Sequence, residues 1–516
     1  ALMTWENSAI TIATLLPLAG ALVIALVPRD KDTMVRALGI VFTGVALVIA
    51  IAIAVDFDYS AGSGLQFGLN ADWIPAISAR YHVGIDGISL PLYLLTFVLS
   101  FLCAIYTWRF VPSPGKTKAF LGLMLLLETG MAGTFIAFDL ILFFVFWELV
   151  LVPMYFLIGI WGSANREYAA IKFFLYTLFG SVFMLLGFLG MFFRSDLGGG
   201  VRTFDIIALQ DYAAGGGFSQ GFQLVAFAAV GLGFAIKVPM WPFHTWLPDA
   251  HTEAPTIGSV LLAGVMLKMG TYGFIRIALP ILPYGAQKYA PWIGALAAIA
   301  IVYAALACLA QRDLKRLIAF SSVGHMGFVM LGIATLTTIG INAAIFGMVA
   351  HGIITGMLFF CVGSLYDRYH TREISEIGGG VMQKLPYLGG VFAFVAIASL
   401  GLPGLAGFWG EVMALLSAFN PAGVLSDQTT LFRVFMVAGG IGTILTAGYF
   451  LWMLQRVNMG TVPEKWQAQP LPDLLPVEWV SWTPLLVATV ALGIFPRLIF
   501  GVTQEPVEAL THLFGG

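Results

Sequence analysis

Charge is scarce in this sequence. Lys, Arg, Asp and Glu make up only 10% of its 516 residues, and 59% are hydrophobic. Ordinary soluble domains carry about 25% charged residues. The scarcity excludes a soluble globule and leaves a polytopic helical membrane protein. A net charge of −2 excludes a strong pull on nucleic acid. Cysteine is scarce too. Cys103, Cys308 and Cys361 stand singly in apolar runs with no C-x-x-C spacing, which argues against iron–sulfur or structural zinc ligation within the chain. There is no phosphate-cradling Walker A loop and no dinucleotide glycine fingerprint after a strand. The first apolar run, Ile10 to Val27, lacks a cationic flank and a small-residue cleavage site, so it reads as a helix and not as a signal peptide.

What is there is one apolar run after another. A window of about 19 residues yields roughly fourteen spans. Their cores are 9–27, 34–55, 86–108, 119–138, 140–161, 168–193, 222–246, 256–279, 291–310, 317–338, 341–366, 387–419, 431–455 and 481–501. Asp56 to Asp86 is polar and long enough for an extramembrane hairpin, Arg202 to Tyr212 for a short surface helix, and Lys465 to Glu478 forms a connector. With alternating spans, about fifteen Lys and Arg fall on the face of the first connector (Arg29, Lys31, Arg36) and six on the other. The positive-inside bias makes the first face cytoplasmic and puts both termini on the outer, periplasmic side.

The chain is organised around 231–276. Lys237 and Lys268 lie there in apolar surroundings, and Pro239 and Pro242 follow the first at once. Proline has no N–H, so the carbonyls of Ala235 and Val238 lose their helical partners. A span broken at membrane depth beside a buried cation is a recurring transporter plan. A second break stands in span twelve, where Gly401, Pro403 and Gly404 precede Glu411. Breaks five spans apart imply two units of opposite orientation. The expected fold is therefore an all-α polytopic membrane protein with two inverted five-helix repeats, each holding a broken helix. The expected division is 1–118 (spans one to three), 119–280 (four to eight), 290–456 (nine to thirteen) and 457–516 (connector and span fourteen).

Ionisable residues fall in the spans at Glu128, Glu148, Lys237, Lys268, His351 and Glu411, with His325 placed nearer the cytoplasmic third of span ten. One mid-membrane charge costs roughly 2.5–3.5 kcal/mol. Five cost roughly 12–18 kcal/mol before pairing, as much as a domain's whole stability of about 5–15 kcal/mol. A proton path explains such a set; static buried ion pairs are the competing explanation. The histidines also fit neutral core residues bonded to carbonyls or, for His325, to Ser321 or Ser322. His244 and His251 border the broken end of span seven as loop residues. Lys172 and Arg276 read as anchors or helix partners near span ends, and Asp139 as a helix cap.

Two stretches, WPFHTWLPDAHTEAPTIGSVLLAGVMLKMGTYGFIRI from Trp241 and RDLKRLIAFSSVGHMGFV from Arg312, resemble the antiporter-like membrane subunits of respiratory complex I, which share their fold with Mrp cation/proton antiporter subunits. The resemblance runs from about span three to span thirteen. A glutamate at the Glu411 position resembles the M-type branch, since the L-type, N-type and Mrp relatives usually carry lysine there. The resemblance implies a coupling pair at Glu148 and Lys237, further carriers at Lys268, His351 and Glu411, and no flavin, iron–sulfur cluster or quinone site in this chain. FMN, the iron–sulfur clusters and quinone would sit in partner subunits, and L-type and N-type subunits would be neighbours. It implies the bacterial inner membrane, or the mitochondrial one for an organellar chain, and a subunit of a proton-translocating NADH:quinone oxidoreductase.

On that reading protons enter near His325 or Lys268, pass along the mid-plane through Lys237, Lys268 and His351, and leave past Glu411. No metal is involved. Opposite charges about 6 Å apart at an effective dielectric of 20 attract by roughly 2.8 kcal/mol, so moving Glu148 away from Lys237 would push the lysine's proton onward. An Mrp-type cation/proton antiporter subunit and a structural scaffold with static pairs are the alternatives.

Overall fold

The computed structural model describes residues 4–62 and 64–515. Ala1–Met3, Ser63 and Gly516, which fall in the two terminal segments of the expected division, lie outside the described residues. Thirteen described helices are long and apolar enough to cross a membrane. They are spans one, Trp5–Leu26; two, Asp32–Asp56; three, Ser89–Tyr106; four, Thr117–Ile136; five, Leu140–Trp161; six, Arg166–Arg194; and seven, Gln220–Lys237. Then come eight, Thr256–Ile281; nine, Pro283–Leu309; ten, Leu314–Ala334; eleven, Thr338–Tyr369; thirteen, Gly423–Val457; and fourteen, Pro476–Ile494. Span twelve crosses in two pieces, Pro386–Ser399 and Gly407–Phe419. The polar stretch after span two forms an antiparallel hairpin, β1 Gln66–Ile74 and β2 Ala79–Ile85. We call its side the hairpin face and the Lys/Arg-rich side the basic face.

Several expected boundaries shift: span seven ends at Lys237 and not at 246, and span nine starts at Pro283 and not at 291. Span fourteen was expected to reach residue 501 but ends at Ile494, because Pro496 cannot continue the ladder; a separate helix, Arg497–Thr511, follows on the hairpin face. Span ten starts three residues earlier than expected. The Asp313 carboxylate accepts from the N–H groups of Lys315 and Arg316 and so caps the helix at Leu314.

Spans eight, ten and eleven are buried on nearly every side and form the core; spans one, two and thirteen present large apolar faces outward. Close approach makes this core possible. A Cβ on Gly270 would stand 2.7 Å from the Phe234 carbonyl oxygen, and one on Gly410 would stand 2.7 Å from the Cα of Gly347. Small residues let membrane helices gain dispersion contact where no hydrophobic drive exists between them. Spans eleven and fourteen are joined at the basic face by Arg368 and Glu478, both buried, with Nη2–Oε2 at 2.7 Å and Nη1–Oε1 at 3.0 Å. The hairpin is tied down on its own face. The Phe138 N–H donates to the His82 carbonyl, and His82 Nδ1 lies 2.5 Å from the Asp205 carboxylate, which caps the surface helix Ile206–Ala214. Burial pushes the Asp205 carboxyl up, but His82 and backbone donors outweigh it and hold the group below the usual carboxylate value.

Candidate functional site: a buried row of ionisable groups

Span seven stops at Lys237, as the two prolines demand, and resumes as the helix Trp246–Glu253. The Ala235 carbonyl left open by Pro239 finds another donor, and so does that of Ile236. Met240 N–H donates to Ala235 O at 2.8 Å, and the Trp246 indole donates to Ile236 O at 2.9 Å. This is the accounting that irregular backbone in a membrane protein must meet. The second piece is pinned at the basic face by Asp249, which pairs with Lys172 at 2.6 Å and Arg316 at 3.3 Å. Lys172 is therefore a helix partner. Lys237 itself is buried, at the negative end of the first piece's dipole, 4.9 Å from the centre of the Trp147 ring. Glu148 is half-buried one residue further along span five, beside the Ser181 hydroxyl that also receives the Trp147 indole. Glu148 and Lys237 interact through space without an ion pair inside 4.0 Å.

Lys268 lies between two widened turns of span eight, Leu262–Met266 and Phe274–Ala278, in which backbone bonds run to the fifth residue. Such turns redirect side chains and expose carbonyls. The Lys268 Nζ donates to the Ala263 carbonyl and lies 2.6 Å from His351 Nδ1. With Nδ1 accepting from the ammonium, the imidazole proton is on Nε2. That nitrogen has no protein partner, and His351 lines a cavity of about 30 Å³, room for about one water. Thr355 Oγ1 and Glu411 Oε2 belong to residues lining the same cavity and are likewise unpartnered.

On the far side of this cavity stand His325 and Glu411. His325 Nδ1 is 2.8 Å from Glu411 Oε1, its Nε2 is 3.1 Å from Ser399 Oγ, and its ring centre is 5.7 Å from that of His351. Four ionisable side chains from spans eight, eleven, ten and twelve thus stand in one row: Lys268, His351, His325, Glu411. His325 is the twelfth residue of its helix, at mid-span and not in the basic-face third expected from sequence. The break in span twelve makes the last place. Gly401 and Gly404 take φ of +87° and +92°, which favours glycine, and a Cβ on Gly401 would sit 3.1 Å from Glu411 Oε2. The freed N–H of Ala406 donates to the Thr489 carbonyl of span fourteen at 3.0 Å.

Glu128 stands apart from this row. It is fully buried on span four with both oxygens unbonded, and span four packs there against span three. Asp139 caps span five by accepting from Ile141 and Leu142 N–H groups. Among the described residues, no group of three His, Cys, Asp or Glu could hold a metal ion.

The family description "NADH:quinone oxidoreductase/Mrp antiporter, TM" fits residues 137–439, which span both breaks and every member of the row. The chain belongs to this antiporter family. Among curated relatives, NADH-quinone oxidoreductase subunit M of Rhodobacter capsulatus is 40% identical over 98% of this chain and 96% of its own. The same subunit of Rickettsia prowazekii is 39% identical over 99% and 100%. Among solved structures, a chain of respiratory complex I from Thermus thermophilus superposes with a TM-score of 0.86 at 29% identity, covering 98% of this chain and 100% of that one. A chain of the Mrp complex from Dietzia sp. superposes at 0.82 with 21% identity, a likeness of fold alone, over 99% of each chain.

Three residues of this antiporter-family chain escape a reading of the sequence. Ser399 holds the free nitrogen of His325. Lys315, at the start of span ten, buries its ammonium against the Ala254 carbonyl. His251 is no loop residue: it is fully buried, stacked on Phe359 with ring centres 4.5 Å apart, and neither ring nitrogen has a protein partner. The signal for its helix was Pro248, which fits the first turn of a helix because its missing N–H would be unpaired there anyway. At the basic face a cavity of about 210 Å³ is lined by Glu253, two residues on from His251, and by Lys315, Asp367 and Arg372 among others.

Proposed function

We propose that the chain is the M-type membrane subunit of NADH:quinone oxidoreductase and that it carries protons along the buried row while quinone is reduced in partner subunits. The observation that supports this reading is the row itself. Lysine, two histidines and a carboxylate succeed one another within hydrogen-bond or single-water reach, three of them in the most buried spans. FMN, iron–sulfur clusters and quinone belong to other subunits on this reading, and L-type and N-type subunits are neighbours. The basic face is cytoplasmic and both termini lie outside, in a bacterial inner membrane. Spans four to eight and nine to thirteen form the two inverted units; their broken spans enter from opposite faces.

From Lys268 onward each step uses an atom on hand. A proton reaches His251 from the cavity at the basic face and passes to Lys268. Lys268 hands it to His351 Nδ1, and His351 releases its Nε2 proton to a water in the 30 Å³ cavity. The water passes it to Glu411 Oε2 or to the His325–Glu411 pair. Glu148 and Lys237 set the electrostatic bias at the other end: their separation changes whether a charge on Lys237 is favoured, and so whether one on Lys268 is opposed.

The test is NADH-driven proton uptake by the reconstituted complex, normalised to assembled complex. His351→Ala should lower it about two- to tenfold and not abolish it, because water can replace an imidazole in a hydrogen-bonded chain. Complete loss would make His351 an obligate carrier and the bridging water insufficient. His251→Phe keeps the stack on Phe359 and removes both nitrogens. Coupled turnover should fall several-fold with assembly intact; unchanged turnover would move the inlet elsewhere.

A further inference from the structure

A second cavity, about 440 Å³, opens inward from the hairpin face. Its walls include Gln210 and Asp211 of the surface helix, Phe138 and Leu510, and it reaches down to Asp86 and Arg276. Arg276 is on span eight, two helical turns from Lys268, roughly 12 Å along the axis. Arg276 is the charged residue of span eight that lines the cavity.

Asp86 and Arg276 belong to an ordered cluster. Arg276 Nη2 donates to Asp86 Oδ1 at 2.6 Å, and Arg276 Nε donates to the Tyr272 hydroxyl at 3.1 Å. Tyr272 in turn donates to the Phe135 carbonyl at 2.9 Å. Asp86 Oδ1 also accepts from the N–H groups of Ile88 and Ser89 and from the Ser89 hydroxyl, each at 3.0 Å. The guanidinium lies over the Phe138 ring at 4.8 Å and the Tyr272 ring at 5.3 Å. Gln210 fixes the widened turn itself by donating to the Arg276 carbonyl at 3.1 Å.

Proton hopping needs every member of a chain to accept one hydrogen bond and donate another. Guanidinium only donates, and it is not deprotonated in proteins. The Tyr272 hydroxyl, the next group inward, already accepts from Arg276 and spends its proton on a backbone carbonyl. We infer that Arg276, fixed by Asp86 and Tyr272, is a proton insulator that separates the wet hairpin-face cavity from Lys268, so that protons leave through the second half of the chain and do not run back through the first. The inference rests on the proton-carrying role proposed above.

The test is passive proton conductance. Proteoliposomes holding the whole complex, without NADH, receive a pH step under a potassium–valinomycin clamp, and the internal pH is followed with a trapped dye. Arg276→Gln introduces a shorter group that both accepts and donates. Conductance per complex should rise at least threefold, while NADH oxidation by an artificial acceptor stays unchanged. A leaving charge partner at Asp86 is controlled by the double variant Asp86→Asn/Arg276→Gln, which should leak as well, and by Asp86→Asn, which keeps the guanidinium and should stay tight. An assembled Arg276→Gln complex as tight as the unsubstituted one would overturn the inference. So would loss of assembly in both Arg276 variants with Asp86→Asn intact, which would make the pair a structural joint. Leak is read without turnover, so a failed seal leaves the transport reading standing, and a failure of NADH-driven uptake leaves the leak measurement valid.

Discussion

Lys237→Ala should leave the complex assembled and cut NADH-driven proton uptake more than tenfold. Assembly should survive because the substitution removes a charge whose burial at mid-membrane costs roughly 2.5–3.5 kcal/mol. What is lost in return is a contact with the Trp147 ring, worth about 2 kcal/mol when desolvated. The broken end of span seven keeps its backbone bonds, since Met240 N–H and the Trp246 indole supply them and the lysine side chain does not. Function should suffer because no other cation in the described first half shares the field of Glu148 at this depth. NADH oxidation by an artificial acceptor should be unchanged. Near-normal coupled uptake in an assembled Lys237→Ala complex would remove Lys237 from the mechanism.

For Glu411 the order of two variants is decisive. Glu411→Gln keeps an oxygen for His325 Nδ1, now 2.8 Å from Oε1, and removes the group that takes up and releases a proton at the cavity. Coupled uptake should fall fivefold or more. Glu411→Lys should retain more activity than Glu411→Gln. An ammonium titrates, and the fold already accommodates a lysine against a histidine Nδ1, at 2.6 Å between Lys268 and His351. A static pair predicts the reverse: glutamine would be tolerated, and lysine beside His325 would cost stability. Uptake per assembled complex with glutamine above lysine would place Glu411 outside the path.

The sequence made some of this legible and not the rest, for identifiable reasons. Pro239 and Pro242 announce the break in span seven because a missing N–H is a local fact. Gly401 and Gly404 announce the break in span twelve in the same way, and the polar run before span three announces the hairpin. Which buried groups touch is not local. His325 and Glu411 lie 86 residues apart, Lys268 and His351 lie 83 apart, and only the packing of four spans brings them into line. The depth of His325 went astray through a boundary. Hydropathy started span ten at residue 317, whereas the Asp313 cap starts it at Leu314 and carries His325 to mid-span. His251 was lost because two prolines make 239–245 look like the start of a long loop, while Pro248 within the next few residues permits a helix. The partnership of Asp86 with Arg276 joins residues 190 apart, and nothing near either one specifies it.

Span eight carries two widened turns, each equivalent to one residue inserted into an α-helix. An inserted residue advances the phase of everything after it by about 100°. The span therefore behaves as three short rods keyed at fixed rotational offsets. The first offset aims Lys268 toward His351, and the second aims the segment of Arg276 toward Asp86. Deleting a single residue from Leu262–Met266 would restore an α-helical ladder through that turn and leave every hydrophobic side chain in the composition but one, yet it would swing Lys268 about a quarter-turn off its partner. In this stretch chain length is as tightly constrained as residue identity, and a homologous segment of the same composition one residue shorter would be a different machine part.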